Sequence, residues 1–567
     1  MKRRGFAVVI HSLIALVVLF LAACGGGSSG GTPPPPPMQV TILTVPPTQA
    51  SEGGAYSYSI QANVSAVTFE LTSGPSGATL SGGTVRWTPT SQQARTENKF
   101  TVTAKYGGSS AVQSWSVTPS GYIRGASADT CISDTGQTTS VNTIAGAPVK
   151  ALAPAAGGGF DTFSASVGPD GTFSIANVPA GSFWLIAPYT SLWTSRSSIN
   201  LGRRSWGGCK WEALSSPGTS LQASVSGLNP WQHYDYFYFT VPNARSSKGS
   251  LPSDGDTSLS FTIPYGNLLL MNSANGDNGY FAQLVTSTYG GVEFHSLQQF
   301  YGPQPVTVQD GAVNSLTATL QAVPQSNSVR ANIRGSAFAA LHDSMFPGAT
   351  TVTPGDGFRI DISVDNISPL SSGSHLVLAS QAFTTDQDLG DVWFGNPYPA
   401  TWTPFLDYYD IASHNLQPPN ASTPLQLPLF NRVVSAQLPT AASPVVPLIG
   451  PPLNPQIDGK NLFQDQVISG TSPVFSWQAP AVGTASGYRI LVYEVLVNNG
   501  TPYLDWNGGF YVTGTSAQLP PGVLSLGKSY TFVIESVYRQ IDIGANPNLE
   551  TMPEGEADLG TGLITIQ

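Results

Sequence analysis

Charge is scarce in this sequence: Asp, Glu, Lys and Arg make up 10% of its 567 residues, against about 25% in an ordinary soluble domain. A solvated polyelectrolyte is thereby excluded, and a hydrophobic content of 41% supplies enough apolar material for cores. What charge exists is mostly acidic, 23 Lys and Arg against 33 Asp and Glu for a net charge of −10. The basic stripe that a nucleic-acid partner needs is therefore missing. Long helices have no room, because 60 Gly and 46 Pro interrupt the chain too often for them to persist. Histidine is rare as well. Past the first dozen residues there are His233, His295, His342, His375 and His414, none in a two-histidine metal spacing, and no HExxH, GxSxG or phosphate-loop pattern occurs. The chain therefore reads as a non-enzyme without a cofactor, although a triad or carboxylate pair assembled from distant residues would leave no such trace.

Between the breakers lie short runs rich in Val, Ile, Thr, Tyr and Phe, the pattern of sandwiches and barrels. The expected fold class is all-β, a tandem of β-sandwich modules. About 540 residues at roughly 100 per sandwich give about five of them.

The N-terminus has its own logic. Lys2, Arg3 and Arg4 precede an apolar stretch over residues 6–23, relieved only by His11 and Ser12, which is the form of an export signal. Its length is borderline for a membrane-spanning helix, which needs about 20 residues. Leu21, Ala22, Ala23 and Cys24 resemble the lipobox of bacterial lipoprotein signals. That resemblance implies a signal peptide over residues 1–23, lipidation of Cys24 and attachment to a membrane through the lipid. Gly25 stands where, in enteric bacteria, an Asp resembles an inner-membrane retention signal, which favours the outer membrane or cell surface. Residues 24–38 hold a Gly/Ser run and five consecutive prolines. They form a linker, flexible and then stiff, with no core to bury.

With Cys24 assigned to lipid, two of the three cysteines remain. Cys131 and Cys209 form a disulfide in an oxidising compartment, or else are two separate buried thiols.

Residues 39–119 alternate at Tyr56, Tyr58 and Ile60, and again at Phe100, Val102 and Ala104, so one face of each strand turns inward. The stretch Pro75, Ser76, Gly77, Ala78, then Thr84, Val85, Arg86, Trp87, resembles the immunoglobulin-like, cadherin-related domains of bacterial surface proteins. Only Glu52, Glu70 and Glu97 are acidic there, so cadherin-type calcium binding does not carry over. Residues 122–205 contain Pro169, Asp170, Gly171, Thr172, Phe173, Ser174, Ile175, which resembles the carboxypeptidase regulatory-like, transthyretin-type sandwich, an accessory unit without peptidase chemistry. Asp170 and Gly171 are expected to turn a hairpin. Residues 206–330 and 331–455 are β-rich and resemble no family. Residues 456–567 resemble fibronectin type III, with Val474, Phe475, Ser476, Trp477 as a core-tryptophan strand and Leu526, Gly527, Lys528, Ser529, Tyr530 as a tyrosine corner. No Arg-Gly-Asp tripeptide is present.

Two candidate contact sites stand out. Tyr234, Tyr236 and Tyr238 would share one face of a strand, either as an exposed row that stacks on sugars or as side chains packed under a loop. Asp386, Asp388 and Asp391 could supply calcium oxygens, but the cluster lacks the glycine and terminal Glu of an EF-hand loop, and a solvated loop is the alternative. Function is expected to lie in interaction, adhesion or envelope structure, with an unidentified protein or polysaccharide partner. The second expectation is a glycan-binding or polysaccharide-processing accessory lipoprotein.

Overall fold

The computed structural model describes residues 38–144, 146–207, 213–242, 252–353, 357–364 and 375–567, with the backbone of the strand Ser246–Gly249. The signal segment, Cys24, most of the linker and Cys209 lie outside the described residues. The protein is all-β. Among the described residues α-helix is confined to Gly335–Ala339 and His342–Met345.

Residues 39–119 fold around their own core of Tyr56, Tyr58, Trp87, Phe100 and Val102. Their alternation faces these side chains inward, and Phe100 stacks on Trp115 with ring centroids 5.1 Å apart. Two contacts fix the exit from this unit. The Glu52 carboxylate accepts from the Tyr122 backbone N–H at 2.9 Å and from Arg124 at 2.8 Å. The Arg95 guanidinium lies 4.8 Å over the Phe183 ring.

In the next unit the strands Phe160–Val167 and Thr172–Val178 are joined as the Asp170-Gly171 pair requires. Gly171 has φ +82°, a left-handed conformation that costs glycine little. Phe173 and Ile175 are buried in a core with Ile123, Leu185 and Leu192.

Sheet pairing does not stop at the module boundaries that the sequence suggests. Ser191, Leu192 and Trp193 pair in parallel with Phe510, Tyr511 and Val512. Asn431 to Val434 pair antiparallel with Ala557 to Glu554. Phe294, His295 and Ser296 pair with Ser380, Ala379 and Leu378. Strands from residues 121–567 thus join one continuous 23-stranded sheet. The last hundred residues do not hang at the end of a string of modules: they sit in the middle, between the unit that carries Leu192 and the unit that carries Val433. The physical reason is that each sandwich exposes edge strands with unpaired N–H and C=O groups, and these pair with one another. A smaller sheet, Ala128–Ile132, Thr138–Asn142 and Arg204–Trp206, reaches out of the second unit. It delivers Ile132 and Trp206 to a core that also holds Tyr280, Phe358, Leu378 and Trp402.

Candidate functional site

Five strands of the continuous sheet, Thr403–Leu416, Leu425–Ser435, Glu554–Gly560, Ser529–Arg539 and Gly487–Asn498, form the floor of a cleft of about 730 Å³. Alternation decides what reaches it. On Leu425–Ser435 the side chains of Leu429, Asn431 and Val433 are buried, which turns Phe430 and Arg432 to the other face. On Glu554–Gly560 the same period aligns Glu554, Glu556 and Asp558. Register then brings together residues far apart in the chain. Tyr409 stands opposite Arg432, Arg432 opposite Glu556, Asp558 opposite Glu535 and Glu535 opposite Arg489.

The cleft is strongly charged for so uncharged a chain, and most of its charges are partnered. Arg432 binds Asp407 through two hydrogen bonds of 2.7 Å. Arg489 donates to Glu535 at 2.6 Å, and at the cleft's edge Arg359 donates to Asp361 at 3.1 and 3.0 Å. Beside the cleft lining Arg539 donates to Glu554 at 2.5 Å and to the Pro547 carbonyl at 3.1 Å. Glu556 differs: its Oε1 lies 3.9 Å from both Arg489 and Arg539 and accepts no hydrogen bond. Asp558 accepts the Phe430 backbone N–H at 2.9 Å. Burial pushes the Asp558 carboxyl up to about 7; the Phe430 N–H opposes that shift, and the nearby Glu556 carboxylate adds to it. Burial also raises Glu535, although Arg489 pulls it down.

Aromatic rings wall the cleft at both sides. Tyr409 and Phe430 are neighbours with centroids 6.5 Å apart. On the other side Tyr493 meets Trp506 edge to face at 5.3 Å. Phe430 and Trp506 are exposed, at 38% and 56%. Such rings present flat apolar faces beside polar tips.

The residues singled out from the sequence lie elsewhere. The strand begins at Tyr236, so Tyr234 precedes it and is exposed against His233. Tyr236 and Tyr238 are half-buried and pack against the large core. Tyr236 lies 4.4 Å from the His295 ring. Of the two alternatives for this row, the structure gives one exposed tyrosine and two packed ones. Asp386 accepts from the Ser336 hydroxyl at 2.6 Å, Asp388 is bound by Arg330 at 2.9 Å, and Asp391 stands opposite Arg330 in register. The Asp386 and Asp388 oxygens are thus engaged by a hydroxyl and a guanidinium on a neighbouring helix and strand. Among the described residues no group of three or more His, Cys, Asp or Glu is placed to hold a metal ion. Cys131 is buried, its Sγ 3.5 Å from the Ser205 hydroxyl.

The histidines are structural in placement. His342 bridges Asp410, at 2.6 Å, and the Thr351 hydroxyl, at 3.2 Å. His375 is buried among Trp206, Tyr280, Tyr398 and Trp402, and burial pushes its imidazole down to about 3.

The cleft residues were not singled out from the sequence. Each resembles an ordinary outward charge on a strand, and only pairing between units makes them neighbours. One signal was legible: in a chain this poor in charge, Glu554, Glu556 and Asp558 fall at every second position of a single strand.

No protein family and no curated protein matches the chain. Among solved structures it is similar to the N-terminal eight immunoglobulin domains of Down syndrome cell adhesion molecule, at 10% identity over 93% of this chain and 85% of that one, with a TM-score of 0.14. A mixed-linkage glucan utilisation locus protein, SGBP-B of Bacteroides ovatus, solved with a mixed-linkage heptasaccharide, matches at 11% identity over 63% of this chain and 92% of that one, TM-score 0.14. BT4661, a SusE-like surface-located polysaccharide-binding protein from the Bacteroides thetaiotaomicron heparin utilisation locus, matches at 9% identity over 94% and 100%, TM-score 0.14.

Proposed function

We propose that this chain is a lipid-anchored protein of the bacterial envelope that binds a glycan in the cleft between its fourth and last units. The carrying observation is the cleft itself: about 730 Å³, floored by hydrogen-bonding groups in fixed register and walled by Tyr409, Tyr493 and the exposed Phe430. Ligand sites of this size combine aromatic surface with a few fixed polar groups. Sugar rings need both, because their C–H faces stack on aromatic rings while their hydroxyls require partners that are already oriented. Of the two functions expected from the sequence, this arrangement favours glycan binding over adhesion through a protein surface. Lipidation at Cys24 and display at the outer membrane or cell surface rest on the lipobox resemblance and the linker. The test is isothermal titration of the chain without its signal peptide against a panel of oligosaccharides, beside Phe430→Ala and Tyr493→Ala variants of unchanged β-structure. Saturable binding that each variant weakens is expected. Binding unaffected by both substitutions would remove the cleft as the site, and turnover of a bound oligosaccharide would replace binding by catalysis.

A further inference from the structure

We infer that the ligand of this cleft carries a protonated amine, received by Glu556 and Asp558; the inference rests on the reading of the cleft as a glycan site. Each guanidinium group in or beside the cleft already has its carboxylate: Arg359 has Asp361, Arg432 has Asp407, Arg489 has Glu535, and Arg539 has Glu554. An anionic ligand, such as a uronate or a sulfated sugar, would find every guanidinium already paired with a carboxylate, with Arg489 Nε and Arg539 Nη2 left without a hydrogen-bond partner, and would bring its charge beside further carboxylates.

Those further carboxylates are Glu556 and Asp558. Glu556 stands 3.9 Å from two guanidinium groups that are hydrogen-bonded elsewhere, and its Oε1 accepts nothing. Asp558 has one backbone N–H and, among the described residues, no ion pair. Both are mostly buried, with side-chain exposure of 12% for Glu556 and residue exposure of 7% for Asp558. Asp558 is thus a buried carboxylate without an ion pair among the described residues, which is costly to keep ionised, and Glu556 has only the two loose guanidinium contacts at 3.9 Å. The two lie two residues apart on one strand and so project from the same face, with Cα atoms about 6–7 Å apart. An ammonium group, with three donors and a single charge, can bridge oxygens at that spacing, whereas a guanidinium fork requires one planar carboxylate. With aromatic rings on either side, the chemistry fits an oligosaccharide of amino sugars whose nitrogens are free rather than acylated.

A second consequence concerns protons. The groups facing Asp558 are Glu556 on its own strand, Glu535 on Ser529–Arg539, Arg489 and Tyr493 on Gly487–Asn498, and Arg432 on Leu425–Ser435. Because the Asp558 carboxyl sits near neutrality, an arriving ammonium favours its ionised form. Affinity therefore rises with pH through that range for as long as the amine stays protonated.

The experiment is calorimetric titration of the chain without its signal peptide, with four probes: a glucosamine tetramer, an N-acetylglucosamine tetramer, a galacturonate tetramer and tetralysine. The glucosamine tetramer is expected to bind about tenfold or more tighter than its acetylated counterpart, the contribution of one charge-assisted hydrogen-bonded pair. Asp558→Asn and Glu556→Gln are each expected to shrink that preference, read as the ratio of the two tetramers' affinities within each variant. Equal binding of the acetylated and free tetramers would overturn the amine and leave the glycan reading standing. Tighter binding of the galacturonate would overturn the charge argument. Tetralysine binding as tightly as the glucosamine tetramer would overturn the glycan reading. Comparison of the four probes on the unsubstituted chain decides these outcomes even where a variant fails to fold.

Discussion

The indole N–H of Trp184 donates to the backbone carbonyl of Gln518 at 2.8 Å, across 334 residues of chain. Trp184 belongs to the second unit by sequence, yet its ring packs in the core of the last, with Tyr488, Phe510 and Leu519, 5.8 Å edge to face from Phe510. Trp184→Ala is expected to cost about 3–5 kcal/mol, the range for deleting a buried large aromatic. Trp184→Phe should lose less, keeping part of the packing and forfeiting the hydrogen bond. Thermal unfolding of both variants checks the order. Equal midpoints for Trp184→Ala and the parent would show that this contact does not hold the two units together.

Cys24→Ser is expected to leave the protein with its signal segment attached, or released from the membrane, because the thiol that accepts the lipid is gone. Detergent partitioning and membrane fractionation of cells expressing each form decide the matter. Unchanged partitioning would contradict lipidation.

A bridge between Cys131 and Cys209 is expected in exported protein. Ser205 stands opposite Cys131 and Trp206 opposite Ile132 in parallel register, and the Gly207 N–H donates to the Ile132 carbonyl at 3.0 Å, so the chain two residues before Cys209 runs beside Cys131. Closing that loop would stabilise by about 3–5 kcal/mol in the chain-entropy account. Alkylation without reductant followed by mass spectrometry should show Cys131 and Cys209 unmodified and linked; two alkylated thiols would refute the bridge.

Stability should fall as pH rises from about 4 to 7. The Asp558 carboxyl has its folded-state value raised to about 7 by burial, whereas in an unfolded chain it ionises near 4. Between those values the folded state holds a proton that the unfolded state has released, so raising the pH favours unfolding, and above about 7 the penalty is complete. The contribution is on the order of a few kcal/mol. Asp558→Asn should flatten the dependence of the unfolding midpoint on pH. An identical slope in the variant would assign the dependence to other groups.

Much of the fold was legible locally. The alternation at Phe100, Val102 and Ala104 announced strands whose inward faces are fully buried, and Tyr530 was recognisable as a corner residue: its hydroxyl accepts the Ser525 backbone N–H at 3.0 Å. What could not be read was how units join. The pairing of Leu192 with Tyr511 depends on two edge strands whose sequences look like any others, since backbone groups make the bonds. The same lack of a local signal hid the cleft and left open whether Tyr234, Tyr236 and Tyr238 are exposed or packed, which depends on how the large core assembles around them.

The central position of the last unit also bears on how the protein is made. A ribosome delivers the chain from its N-terminus, so Leu192 and Val433 emerge long before their partners Tyr511 and Gly555. Until the final residues arrive, two sheet edges stand open, and open edges invite pairing with other chains. Completion of the sheet is therefore tied to completion of synthesis, and a chain cut short before residue 510 would lack the strands that cover both edges at once. Premature termination should yield aggregating fragments rather than a shorter working protein.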